Sequence, residues 1–359
     1  MPSWAHSQSH WLALAVAALV ALVTTPLVRA VALRLGLVAR PTPRSVHRVP
    51  VPHLGGLAIF AGFVAAVLAS LGWADADVAA VLLGGLVMVA VGLADDVLDL
   101  PPVVKLAGQV AAALVAVVHG IRIEVLTNPL GLLTPTGADD LLVLGAWGIP
   151  LTVLWIVAMS NVINLIDGLD GLAAGIGSIA ALTVLVVALQ TGQPLEAVLL
   201  MAALAGSTLG FLPYNFNPAK IFMGDTGALF IGYTIATVSV VGLLKSAAVV
   251  ALAVPVMVLA LPIADTALAI LRRLQAGRPV MAADRDHLHH RLMRLGFSHR
   301  DAVLVMYLIT AWLALGAVSV AEGNILQGVL IVVTLAASVH LVARKLVEWN
   351  RQRPRRLGH

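Results

Sequence analysis

The sequence predicts an all-α integral membrane protein of about eleven transmembrane helices, with the N-terminus outside and the C-terminus in the cytoplasm. Three observations carry this. Of 359 residues, 60% are apolar and 11% charged, with a mean hydropathy of +0.99, whereas a soluble domain is about half apolar and a quarter charged. Apolar runs of about 20 residues, the length that crosses a bilayer as a helix, recur along the whole chain. Lysine and arginine fall almost wholly in alternate loops, which sets orientation by the positive-inside rule.

The apolar runs lie near 9–28, 53–72, 78–98, 103–119, 141–160, 171–190, 195–212, 223–243, 247–270, 301–320 and 325–343. The first reads as a span rather than a cleavable signal, because residues 1–10 hold no Lys or Arg. No transporter-type repeat is visible, so residues 1–359 read as one domain. The first loop carries Arg29, Arg34, Arg40, Arg44 and Arg48. Arg272 to Arg300 follow the ninth run, Arg344 to Arg356 form the tail, and Lys105 and Lys220 fall on the same side. Only Arg122 and Lys245 lie opposite. The net charge of +4 therefore reflects loop placement against a lipid bilayer, not a nucleic-acid partner. The absence of cysteine excludes disulfides, thiolate catalysis and zinc–cysteine sites.

The polar clusters fall in loops assigned to the cytoplasm, near 29–52, 95–105, 161–171, 213–226 and 272–300. The first holds Asp95, Asp96 and Asp99. Three carboxylates at the bilayer centre would cost roughly 8–10 kcal/mol, so they belong at the interface with a balancing cation. Asp95 and Asp99, four apart on a helix, are expected to share a face. Adjacent carboxylates suit Mg²⁺, which takes one or two of them plus substrate phosphates. In the second cluster, Asn161, Asn164, Asp167 and Asp170 recur every third residue along one side of a tight turn, where amides and carboxylates can read a nucleobase or sugar. The third cluster runs from Asn215 through Lys220 and Phe222 to Asp225, which opens a helix as an N-cap would and lies opposite the other acids. The fourth holds His287, His289 and His290 among arginines, a set suited to donating to phosphate oxygens. Their i, i+2, i+3 spacing differs from the i, i+4 pair of helical zinc sites. Asp265 is a lone acid inside the ninth run, two turns before Arg272. It reads either as a structural pair with that basic end or as a catalytic group.

The strings "ADDVLD", "NVINLIDGLDGLAAG", "KIFMGDTGALFIGY" and "ADRDHLHHRLMRLGF", in this order, resemble the polyprenyl-phosphate N-acetylhexosamine-1-phosphate transferases, glycosyltransferase family 4. His47-Arg48 followed by Pro52-His53-Leu54-Gly55-Gly56 resembles that family's first cytoplasmic loop. The "DRDHLHHRL" string is similar to the WecA- and TagO-type branch, with MraY a relative. The resemblance implies transfer of an N-acetylhexosamine-1-phosphate group, GlcNAc-1-phosphate above all, from a UDP-sugar to undecaprenyl phosphate with release of UMP. It implies Mg²⁺ or Mn²⁺, a bacterial cytoplasmic membrane, and a homodimer. By resemblance Asp225 and Asp96 hold the metal, and Asp95 deprotonates or orients the lipid phosphate. Asn164, Asp167 and Asp170 hold the nucleotide, and Lys105 and His287, His289 and His290 contact phosphate. Arg48 stands where MraY-type relatives carry a nucleotide-contacting lysine. The rival reading, an ion-coupled secondary transporter, expects acids at the membrane midplane and an inverted repeat.

Overall fold

A computed structural model describes residues 3–39, 50–127, 141–243, 248–277 and 287–352. His47 and Arg48 lie outside the described residues. Thirteen helices are described: α1 Ser3–Arg34, α2 Gly56–Ser70, α3 Ala76–Leu98, α4 Pro102–Val118, α5 Gly148–Ile166, α6 Leu172–Gln190, α7 Leu195–Asn215, α8 Gly224–Leu243, α9 Ala248–Val258, α10 Ala260–Gln275, α11 Leu288–Arg294, α12 His299–Ala321 and α13 Ile325–Gln352. Two short antiparallel pairs join them, β1 Val38–Ala39 with β2 Val51–Pro52 and β3 Val125–Thr127 with β4 Leu141–Val143.

Each apolar run became a helix, because with no water in the hydrocarbon every backbone N–H and C=O must bond within its own segment. Seven helices are long and apolar enough to cross a bilayer, eight with α9 and α10 taken as one bent span, while α2, α4 and the apolar part of α13 are shorter. The protein is an all-α, multi-pass membrane protein. Large apolar side chains such as Leu19 and Leu27 on α1, Leu86 on α3 and Leu308 and Leu315 on α12 point outward, as lipid-facing residues do.

Local signals set the ends. The Asp75 side chain accepts from the N–H groups of Asp77 and Val78 at 2.9 and 3.0 Å, capping α3. Ser298 accepts from Asp301 N–H at 3.2 Å to start α12. The run at 247–270 is not one straight helix. It breaks at Leu259 with a bend of 74°, because Pro262 has no N–H to donate back to Val258. The run expected from 141 starts its helix only at Gly148, since Leu141–Val143 pair as a strand instead.

The bundle centres on α6, α7 and α8, whose side chains are mostly buried. Lipid tails are as apolar as leucine, so helices gain by close packing of small residues. Gly206 and Gly210 of α7 lie directly against the α1 carbonyls of Leu14 and Ala18, leaving no space for a Cβ. Ala13, Ala17 and Ala21 form the buried face of α1. Phe60 and Phe63 of α2 meet Phe230 of α8 edge-on at 5.1 and 5.2 Å.

Candidate active site

The end of α3 builds the first wall. Asp95 Oδ1 accepts from Leu100 N–H and Oδ2 from Lys105 Nζ, both at 3.0 Å. The same ammonium is paired with Asp225 Oδ2, and Asn164 Nδ2 donates to that oxygen at 3.2 Å. Lys105 therefore sits between two carboxylates from helices far apart in sequence. Asp96 does something different. Its Oδ1 accepts from Asp225 N–H at 2.8 Å, and its Oδ2 accepts from Thr226 N–H at 3.1 Å and Thr226 Oγ1 at 2.6 Å. It caps α8 from another helix, satisfying N–H groups that a helix start leaves open, and its charge favours the positive end of the dipole. Asp225 lies in the first turn of α8, and the cap that a helix start needs comes from Asp96, which leaves the Asp225 carboxylate free of that task. The junction is tight: a Cβ on Gly92 would run into Thr226, and one on Gly224, at φ +71°, into the Asp96 carboxylate.

The turn between α5 and α6 forms the second wall. Asp170 is buried, and its Oδ2 accepts from Asn217 Nδ2 at 2.9 Å and Ala219 N–H at 3.0 Å. Its own N–H donates to His299 Nε2 at 2.9 Å. Asn215 accepts from Gly171 N–H at 3.1 Å and donates to Ile221 C=O at 3.1 Å, tying this turn to the strand of chain before α8. Asp167 faces a cavity of about 470 Å³, within the roughly 300–1,000 Å³ of small-molecule sites. Asp96, Asp170, Phe222, Asp225, His290 and His299 also line it.

Burial, with the charges of Asp96 and Asp170 added, pushes Asp167 up to about 7. An unfolded aspartate titrates at about 3.9. Between these values the folded protein holds a proton that the unfolded chain has released, so stability falls as pH rises through the window, by about 1.4 kcal/mol per unit at most. Above it the loss is complete. Asp167→Asn has no such slope. Its Tm relative to wild type is expected to climb from pH 4 to pH 7 and level off above. Thermal melts over pH 4–8 check this, and parallel curves would refute it.

The histidine segment covers the second wall. His287 Nδ1 lies 2.9 Å from Asp265 Oδ2, and Asp265 Oδ1 accepts from Leu288 N–H at 3.0 Å. Asp265 thus anchors the start of α11 instead of pairing with the basic helix end. His287 and His289 stack with centroids 5.7 Å apart, and His289 lies against Gly168. Burial, with the charges of His290 and His287 added, pushes His289 down to about 4, which leaves it neutral at pH 7.

Two expected members stand apart. Asp99 does not share a face with Asp95: α3 stops at Leu98 and Asp99 turns left-handed at φ +53°, exposed to solvent. Asn161 donates to Gln109 Oε1 at 2.6 Å and accepts from Gln109 Nε2 at 3.3 Å, locking α5 to α4. His53, Asn215, Asn217 and His299 enter the site without having been singled out. The first three lay inside strings already noted; His299 had no signal beyond a helix start.

The curated relatives repeat this arrangement's sequence along nearly its whole length. A protein of Bacillus subtilis described as a probable undecaprenyl-phosphate N-acetylglucosaminyl 1-phosphate transferase is 42% identical over 91% of this chain and 89% of its own. The chain belongs to glycosyl transferase family 4. The sequence model of that family, described as "Glycosyl transferase family 4", matches residues 78–243 of this transferase, the stretch from α3 to α8 that holds Asp95, Asp96, Lys105, Asp167, Asp170 and Asp225. A decaprenyl-phosphate N-acetylglucosaminephosphotransferase of Mycolicibacterium smegmatis is 38% identical to it, covering 92% of this chain and 87% of that one. An undecaprenyl-phosphate alpha-N-acetylglucosaminyl 1-phosphate transferase of Salmonella typhi is 30% identical, covering 80% and 77%.

Among the described residues no three His, Asp or Glu side chains converge to hold a metal by themselves. The donor set around Lys105 is all oxygen, with two carboxylates already sharing one cationic group. That suits Mg²⁺, which completes its shell with water and substrate phosphate.

Proposed function

We propose that this transferase moves N-acetylglucosamine-1-phosphate from a UDP-linked donor to a polyprenyl phosphate, releasing UMP, at the cytoplasmic face of a bacterial inner membrane. The observation that carries it is that Lys105 joins Asp95 to Asp225, and that Asp225 lines the same cavity as Asp167 and Asp170. An oxygen of the lipid phosphate attacks the β-phosphorus of the donor. The bond from that phosphorus to the bridging oxygen breaks, and UMP leaves with the electron pair. In such a reaction positioning and charge neutralisation supply most of the catalysis.

The resemblance gives the metal to Asp225 and Asp96. Because both Asp96 oxygens are engaged at the start of α8, we assign it to Asp225 and Asp95, which would hold Mg²⁺ or Mn²⁺, a cation that when bound offsets charge on the diphosphate. Asp96 keeps the start of α8, and with it Asp225, in place. Asp95 orients the incoming lipid phosphate, whose second pKa of about 6, by analogy with phospho-residues, leaves little proton to remove. Asn164, Asp167 and Asp170 face the nucleotide, and Lys105, His287, His289 and His290 supply donors to phosphate.

Twenty of the 22 basic residues fall on the side of the chain that carries these loops. That side is the cytoplasm, with α2, α4 and α13 also crossing to give eleven spans. Labelling of single introduced cysteines, in a chain that has none, checks the orientation.

Purified protein given undecaprenyl phosphate, Mg²⁺ and UDP-GlcNAc is expected to release UMP, and EDTA to stop it. Substrate flux in proteoliposomes without UMP release would refute the reading. A panel of UDP-sugars in the same assay identifies the donor.

A further inference from the structure

We propose that His53 is a phosphate-contacting residue of this site; the inference rests on the reading of the cavity as the place where a UDP-sugar and a polyprenyl phosphate meet. The imidazole forms part of the cavity wall alongside Asp96, Gly224 and Asp225. Its Nε2 is buried and has no hydrogen-bond partner among the described residues. Nearly all buried polar atoms in native proteins are paired with protein, water or a ligand, so this one calls for a partner that the cavity can bring.

Asp96 is the obvious neighbour, but its two oxygens already accept three hydrogen bonds from the start of α8. The backbone holds the ring where it is. Phe222 N–H donates to Pro52 C=O at 2.8 Å, Gly55 N–H to Phe222 C=O at 2.9 Å, and Gly56 N–H to Met223 C=O at 2.8 Å. Leu54, between the histidine and these glycines, is held at φ +95°, a conformation that a leucine keeps only where its surroundings enforce it. Torsion χ2 of histidine is soft, so a turn of the ring presents a nitrogen to the cavity.

The other ionisable groups on the cavity wall are four carboxylates, Asp96, Asp167, Asp170 and Asp225, and two histidines, His290 and His299. An uncommitted N–H donor among them, beside the positive end of α8, fits an anionic oxygen that arrives with the substrate. The phosphate groups of the donor and of the lipid share that chemistry.

The test uses the full-length protein with His53→Ala, His53→Gln and His53→Asn. Binding of UDP-GlcNAc and of undecaprenyl phosphate is measured separately in Mg²⁺, with the Tm of the ligand-free protein alongside. His53→Ala is expected to weaken one of the two ligands about tenfold or more, as loss of a hydrogen bond to a charged group does, and to leave the ligand-free Tm unchanged or raised. Glutamine, whose amide nitrogen reaches the Nε2 position, is expected to restore binding; asparagine is not. Loss in the first arm places His53 at the donor diphosphate, and loss in the second places it at the lipid phosphate. If His53→Ala does not fold, the Gln–Asn comparison decides. Wild-type affinity for both ligands, or an equal loss in both with a lower ligand-free Tm, would overturn the role of His53 alone. A wild-type protein that releases no UMP from UDP-GlcNAc would overturn the functional reading itself.

Discussion

Asp225→Asn is expected to cut UMP release by at least about 100-fold while leaving the fold in place. The backbone N–H of Asp225, not its side chain, meets Asp96, so the cap on α8 survives the substitution. What disappears is the charge on the oxygen that Lys105 and Asn164 share. Asparagine keeps the shape but offers half the acceptor capacity and no charge with which to hold a divalent cation. Removing one positioned electrostatic group from a water-poor site commonly costs 10²–10³-fold in rate, by order of magnitude. The measurement is kcat over a wide Mg²⁺ range, with a thermal melt to confirm folding. Turnover within tenfold of wild type would remove Asp225 from the chemistry.

Lys105→Met is expected to make stability depend on Mg²⁺. The ammonium links Asp95 and Asp225, with the three side chains only 16–24% exposed. Breaking a fully buried pair costs about 3–5 kcal/mol. Partial exposure screens the loss here, to about 1–3 kcal/mol. In the variant two carboxylates face each other with nothing between them, and a divalent cation relieves this directly. In the wild type the cation has first to displace a resident positive group. The Tm of Lys105→Met should therefore be lower than wild type in EDTA and rise more steeply with Mg²⁺. Equal Mg²⁺ responses in the two proteins would refute this division of labour. Activity should fall as well if that ammonium donates to substrate phosphate, as the proposed function has it.

The helices were legible because the bilayer leaves the backbone few choices, and the run from Trp11 or Leu172 announces itself by length and apolarity alone. The gathering of the acids at one end was legible too, since Lys and Arg placement and motif position agreed on it. Individual geometry was not. Asp95 and Asp99 are four apart, but α3 ends at Leu98, and periodicity carries no information past a helix end. Asn161 fits the three-residue rhythm of Asn164, Asp167 and Asp170, yet its partner is Gln109 on α4, a contact between segments that rhythm cannot encode. The cap from Asp96 to α8 spans 129 residues, and the bond between Asp170 and His299 spans 129 as well. Both depend on helix docking rather than on neighbours in the chain. The bend at Leu259 had a local cause in Pro262, visible but outweighed by the apolar run around it.

That cap has a consequence in time. The ribosome delivers residues in order, at about 5–20 per second. Asp95 meets its lysine only 10 residues later, almost as soon as α3 emerges. Asp96 waits for a helix 129 residues downstream, roughly 6–26 seconds at that pace. Throughout that interval only water at the membrane surface answers the Asp96 carboxylate, and α8, once made, meets a cap that is already there.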